Sequence, residues 1–241
     1  MDQTDYAYAL RRDGARMAEA AAGNLDRRVP SCPEWTVGDL LRHTGTVHRF
    51  WTAIAAGEIS GPQDPRRVQP VEPADEDLVA WFTEGLEHCA STLEKLDPGL
   101  PRWSWSDRKD AGFIQRRMAQ ETAVHCWDAL NAVGRDEPVE RELAADGVAE
   151  FLTHFADGEL PAGLPEAGLH LHATDGAGEW TVRAADGALL VTTEHAKAAF
   201  AARGTASDLL LLLWERRLPA ALETFGDQAA FTSYLAAFGR D

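Results

Sequence analysis

The sequence predicts an α plus α+β protein: an N-terminal four-helix bundle followed by a smaller C-terminal domain with an antiparallel sheet and helices. Three observations carry this reading. As far as about residue 133, apolar side chains recur at three- and four-residue steps. Glycine, charges and proline then fall together in GRDEP, 134–138, which marks a boundary between a domain at 1–137 and another at 138–241. After one more helix the period shortens to two, in LHLHATD, EWTVRAAD and ALLVTTE.

Residues 3–22 set Tyr6, Leu10 and Met17 on a loosely helical pattern that Gly23 and Asn24 end. VPSCPEW, 29–35, holds two prolines and is a connector that excludes helix. Thr36 opens the second helix, because T-V-G-D places a hydroxyl at the N-cap and the Asp39 carboxylate three residues later, as in a capping box. Leu40, Val47, Phe50 and Ile54 form its apolar stripe, His43 lies inside that stripe, and His48, one position off it, is expected to be partly exposed.

Pro62, Pro65, Pro70 and Pro73 make 61–75 a long surface connection. An amphipathic third helix follows at 76–96, and PGLPRWSWSDRKDAG breaks it. The fourth helix, 113–133, closes at Gly134. A fifth, 139–157, presents Leu143, Phe151, Leu152 and Phe155. The alternating segments then make three antiparallel strands, or four with KAAFAARG, joined at DGAGE and DG by hairpin turns. Two helices, 207–217 and 227–238, finish the chain.

A length of 241 residues with 45% hydrophobic and 26% charged residues suits a globular protein with a sizeable core. The formal charge of −16, from 39 acidic against 23 basic side chains, repels a phosphate backbone and gives an anionic membrane nothing to hold, so neither nucleic acid nor membrane is an expected partner. Arg11, Arg12, Asp13 and Arg16 interrupt any signal-like apolar run, and the most apolar stretch, 209–214, is too short to span a bilayer. A soluble cytoplasmic location is the expectation. Cys32, Cys89 and Cys126, an odd and widely spaced set, describe neither a disulfide framework nor a zinc finger.

The chemistry concentrates in RRMAQETAVHCWDALNAVG, 116–134. Ile114, Met118, Glu121, His125 and Asp128 follow one another at three- or four-residue steps, so Glu121 and His125 extend an apolar stripe inward. An isolated E-x-x-x-H is weak, since Glu121 paired with Arg117 and a neutral core His125 would explain it. His43, on the apolar stripe of another helix, changes the balance, because a bundle brings such stripes together at its centre. Two imidazoles, one carboxylate and an open fourth position suit catalytic zinc or a similar first-row ion. The remaining alternative is a buried His–Glu–His hydrogen-bond network. Cys126 points about 100° away from His125 and reads as packing. Asp128 reads as a solvated aspartate before a partner for an imidazole N–H. His154, His170 and His172 show no metal spacing, and an arginine at the end of the helix at 207–217, Arg216, either meets the helix dipole or reaches an anionic substrate.

VPSCPEWTVGDLLRHTGTVHRFW, RRMAQETAVHCWDALNAVG and GTASDLLLLLWERR together resemble the mycothiol-dependent maleylpyruvate isomerase family. The order W-T-V-x-D-L-x-x-H followed well downstream by E-T-x-x-H-x-W-D rarely arises by accident. The resemblance implies a DinB-like N-terminal bundle, a sterol-carrier-like C-terminal domain, and His43, Glu121 and His125 as ligands of a divalent metal, with zinc favoured. It implies mycothiol as co-substrate and a small unsaturated carboxylate as substrate, isomerised cis to trans. Arg216, which matches the arginine of the family's W-x-R segment, is then the catalytic residue that anchors the carboxylate, with Arg203 as its rival. Two alternatives stay open: a mycothiol S-transferase, and a non-catalytic metal-binding or regulatory module.

Overall fold

Four long helices build the N-terminal unit: α1 (Gln3–Ala21), α2 (Val37–Ala56), α3 (Asp75–Glu94) and α4 (Ala111–Ala132). The computed structural model describes residues 1–67, 69–155, 160 and 164–238, and the chain divides into units Met1–Glu137 and Pro138–Asp241. α1 and α2 each pack against both α3 and α4, so α1 and α2 occupy opposite corners of the bundle. A two-stranded antiparallel hairpin, β1 (Arg28–Val29) and β2 (Cys32–Thr36), connects them where the prolines exclude helix.

The capping box at Thr36 is present as expected: Asp39 N–H donates to the Thr36 hydroxyl at 3.1 Å, and Thr36 N–H to the Asp39 carboxylate at 2.9 Å. The buried face of α2 keeps Leu40 and Ile54 of the expected stripe but is turned away from the rest of it. Leu41, Thr44, Gly45, His48, Thr52 and Ala55 point inward, while Val47 and Phe50 are only half-buried. Polar and small residues hid this face from a count of apolar positions. Thr44 and Thr52 remain buried without penalty because their hydroxyls donate to the carbonyls of Leu40 and His48 at 2.9 and 2.6 Å. α4 starts two residues earlier than expected, since Asp110, within the sequence break, caps it by accepting from Phe113 N–H at 2.8 Å.

The second unit opens with α5 (Arg141–His154); the expected helix residues 156 and 157 lie outside the described residues. Five strands follow: β3 (Leu169–Ala173), β4 (Glu179–Ala185), β5 (Ala188–Thr192), β6 (Phe200–Gly204) and β7 (Glu223–Gly226). The sheet order is β5-β4-β3-β6-β7, and β3 runs parallel to β6. The sheet is therefore mixed where a purely antiparallel one was expected. The antiparallel pairing of consecutive strands fails between β5 and β6 because β6 passes both β5 and β4 to reach the far side of β3. β7 escaped the sequence reading because it has four residues, all exposed, with no alternation.

Between β4 and β5 the Asp-Gly signal holds: Asp186 and Gly187 take φ of 51° and 79°, the left-handed pair of a tight hairpin turn. Leu169, Leu171, Val182 and Phe200 give one sheet face to the core, joined by α6 (Ala206–Leu213) and α7 (Gln228–Leu235). α6 ends four residues before the expected Arg217. Glu215 adopts φ 60°, and Glu215 and Arg216 N–H groups donate back to Leu212 and Leu211 carbonyls at 3.1 and 2.7 Å, a Schellman closure without glycine. Among the described residues no helix is long and apolar enough to cross a membrane.

One close approach fixes α2 against α3. A Cβ on Gly45 would stand 2.3 Å from the Trp81 ring, and that ring is held by Arg49, whose guanidinium lies 3.7 Å above it and donates to the Trp81 carbonyl at 2.7 Å. Gly45→Ala therefore overpacks a pinned ring by more than the helix propensity it gains, and a loss of about 1–2 kcal/mol in urea unfolding is expected. An unchanged or higher midpoint would show that Trp81 moves freely.

Candidate functional site

The α2–α4 contact brings three of the sequence-predicted residues together. Glu121 Oε1 lies 3.4 Å from His43 Nε2 and 3.2 Å from His125 Nε2, and the three donor atoms lie within 4.8 Å of one another. The imidazoles of His43 and His125 meet edge to face at 5.2 Å between centroids. Glu121 does pair with Arg117, but through its other oxygen, Oε2, at 3.2 Å. One oxygen thus meets the guanidinium and the other faces the two imidazoles.

The spacing bears on whether these residues could hold a cation as well as a hydrogen-bond network. Charge-assisted N–H···O bonds settle at about 2.7–2.9 Å. Ligand atoms held about 2.1 Å from a tetrahedral centre stand about 3.4 Å apart. The observed 3.2 and 3.4 Å match the second figure. Two imidazole nitrogens and one carboxylate oxygen are also the donor types that zinc and its neighbours prefer, so these residues fit a divalent ion.

Asp128 is fully buried instead of solvated, and its Oδ2 lies 3.0 Å from His125 Nδ1 while Oδ1 accepts from the Ser31 hydroxyl. That contact puts the proton of a neutral His125 on Nδ1 and leaves Nε2 facing Glu121. Ser31 sits in the turn of the β1–β2 hairpin, and Trp35 of β2 lies 4.8 Å from the His43 ring, so the hairpin both braces and walls the site. The His43 side chain is 38% exposed against 10% for His125, which locates the open side.

Electrostatics follow the geometry. Burial works against charge on His125, but the Glu121 and Asp128 carboxylates outweigh it and raise the imidazole above its ordinary range. Burial likewise opposes charge on Glu121, yet His125, His43 and Arg117 hold its carboxyl well below the usual value. A divalent ion would replace the His125 proton as the positive charge facing Glu121. His48 behaves oppositely: completely buried, with Nε2 2.8 Å from the Thr122 hydroxyl, it is pushed down to about 3 by desolvation.

Arg216 belongs to the second unit. It is half-buried beyond the end of α6 and donates to the Trp214 carbonyl at 2.8 Å. Arg203 stands opposite His172 in the β3–β6 register and is ion-paired with Glu223 at 2.9 Å. Sequence reasoning missed Ser31. It held Trp35 only as the first residue of W-T-V-x-D-L-x-x-H, and it ranked Asp128 as an imidazole partner below a solvated aspartate, where the structure buries it. It also passed over His170 and His172, which a strand's period of two places on one face beside Glu179.

A four-helix bundle bearing a partly buried His–Glu–His set, followed by a mixed-sheet unit, defines the class of this protein. Residues 7–130 match the family described as mycothiol maleylpyruvate isomerase N-terminal domain, and 142–232 match the C-terminal domain of the same family. The chain belongs to the mycothiol-dependent maleylpyruvate isomerase family. It resembles in fold the crystal structures of the mycothiol-dependent maleylpyruvate isomerase and of a histidine-to-alanine mutant of that enzyme, each at TM-score 0.63 and 10% identity, with 93% of both chains covered. No curated protein matches the chain.

Burial of neutral His48 has a consequence for acid stability. Above about pH 6.5 the residue is neutral in both folded and unfolded chains; below it the unfolded chain binds a proton that the folded one refuses until about pH 3. Stability is thus lost as pH falls through that window, by up to about 1.4 kcal/mol per unit from this group. Between pH 6.5 and 5, urea unfolding of His48→Gln should lose about 2 kcal/mol less than wild type. Parallel losses would mean that His48 titrates normally.

Proposed function

We propose that this chain is a mycothiol-dependent metalloenzyme that isomerises a small unsaturated carboxylate cis to trans. The observation that carries the reading is the 3.2 and 3.4 Å spacing of His125 and His43 around one oxygen of Glu121, with family membership supplying the thiol. His43, Glu121 and His125 would hold the metal, zinc being the first choice on donor type. When bound there, with one coordination position open, a divalent ion supplies the charge that lowers a thiol's pKa toward neutrality.

The chain's own residues prepare that position. Arg117 takes up Oε2 of Glu121 and so turns Oε1 toward the two imidazoles. Asp128 and Ser31 keep His125 from rotating. Trp35 limits His43 on one side, and the exposed edge of His43 leaves an approach for a thiol. The thiolate then adds to the activated double bond, rotation occurs about the resulting single bond, and elimination returns free thiol with the isomerised product. Arg216, a guanidinium suited to bidentate carboxylate binding, is the proposed substrate anchor, with Arg203 second.

Purified protein assayed with maleylpyruvate and mycothiol should turn over only with both thiol and metal present, and should return the thiol unconsumed. Chelation should abolish turnover and zinc should restore it. Glu121→Gln, which keeps the shape but removes the charge, should lower turnover by about a hundredfold or more together with metal content. Stoichiometric loss of thiol would make the protein a transferase, and full activity of Glu121→Gln would remove the metal from the mechanism.

Asp128 acts on this centre only through His125. Asp128→Asn retains volume but not the charge facing Nδ1, and zinc affinity measured by competition should weaken by about tenfold. Equal affinity would leave Asp128 with a packing role alone.

A further inference from the structure

On the polar face of the C-terminal sheet, three imidazoles converge on one carboxylate oxygen. Glu179 Oε1 lies 2.6 Å from His195 Nδ1, 2.8 Å from His170 Nε2 and 3.4 Å from His172 Nδ1. His172 and Glu179 are direct partners in the β3–β4 register, and His170 is two residues along β3, so strand geometry fixes three of the four groups on one face. His195 comes from the segment between β5 and β6, where the neighbouring Glu194 carbonyl accepts from the Thr181 hydroxyl of β4 at 2.7 Å.

We propose that His170, His172, Glu179 and His195 form a second divalent-metal site, structural in role, that takes zinc or a comparable first-row ion and ties the segment after β5 to the sheet. Nothing in this site depends on His43, Glu121 or His125.

Hydrogen bonding alone leaves the cluster incomplete. One carboxylate oxygen offers two lone pairs, and three ring nitrogens face it. His195 and His170 stand within bonding distance, whereas His172 Nδ1 is a buried atom with no hydrogen-bond partner. An ion accepts all four donors together. Three imidazoles and a carboxylate close a tetrahedral shell with no position left for substrate, which is the pattern of a structural site.

The ligand atoms of His170, His172 and Glu179 lie within 4.8 Å of one another, against about 3.4 Å around a tetrahedral zinc, so His170 would retreat from the oxygen, now 2.8 Å away. His195, outside that group of three though 2.6 Å from Glu179 Oε1, would have to swing in as the fourth ligand; it lies on an irregular segment with a 79% exposed side chain. The arginine in register with His172, Arg203, is drawn to Glu223 on β7 and does not compete for Glu179.

Zinc stoichiometry and affinity of the full chain test this, with far-UV circular dichroism as a check on folding. Wild type stripped with chelator and dialysed against micromolar zinc should hold two ions by elemental analysis, and Glu121→Gln should keep one. His195→Ala, a change at an exposed side chain, and Glu179→Gln should each weaken the ion that remains in the Glu121→Gln background by about tenfold or more, and should reduce the rise in melting midpoint that zinc produces there. Folded Glu121→Gln without zinc, or zinc affinity indifferent to both C-terminal changes, would overturn the site. One ion in wild type that is lost with Glu179→Gln and kept with Glu121→Gln would sustain this site while removing the proposed catalytic centre.

Discussion

A carboxylate inside a helical bundle must be met by positive or donor groups, and Glu121 sets that requirement for the whole N-terminal unit. An unpaired buried charge costs several kcal/mol, so the elements around Glu121 are held in the one arrangement that compensates it. Arg117 and His125 come from the turns before and after it on α4, and His43 comes from α2. The pairing of α2 with α4 is therefore specified chemically as well as by packing.

The rest of α4 follows the same rule. Nearly every residue of this helix is buried, including Gln115, Thr122 and Asp128. Each of these reaches a different neighbour: Gln115 donates to the Leu93 and Leu96 carbonyls at the end of α3, Thr122 meets His48 of α2, and Asp128 accepts from Ser31 of the hairpin. Trp127 Nε1–H adds Asp136, just beyond the helix, at 3.1 Å. Apolar contacts alone would tolerate rotation or sliding of α4, whereas a set of partners in several directions admits one register. Rotation and register of α4 are what fix the distance from His43 to Glu121.

Much of this was legible in the residues. Capping at Thr36, the Asp-Gly hairpin and the approach of His43 to Glu121 and His125 all follow from spacing, because each depends on local geometry or on a periodic stripe. The buried face of α2 did not, since Thr44, Gly45, His48 and Thr52 look solvent-facing until their hydroxyls and ring nitrogen find internal partners. The end of α6 was equally hidden: nothing in WERR announces that Glu215 takes the left-handed conformation usually given to glycine. His170 and His172 show no metal spacing by themselves, because the groups that complete their cluster, Glu179 and His195, come from β4 and from the segment after β5.

The two histidine clusters differ in a way that bears on their chemistry. Around Glu121 there are three donors at spacings too long for charge-assisted hydrogen bonds, a second carboxylate orienting one imidazole, and one exposed edge. Around Glu179 there are four donors, Glu179 included, with two imidazoles at ordinary hydrogen-bond distance from its oxygen and, among the described residues, no second carboxylate paired with them. Rigid preorganisation with a vacant direction is what a reacting thiol requires, because the thiol must enter, react and leave. A shell completed by a movable, exposed His195 serves retention instead, since closing it holds a loop and opens nothing to substrate. On the two proposals, ligand count and the exposure of the last ligand would separate a centre for turnover from a site for fastening, although both are built from histidine and glutamate.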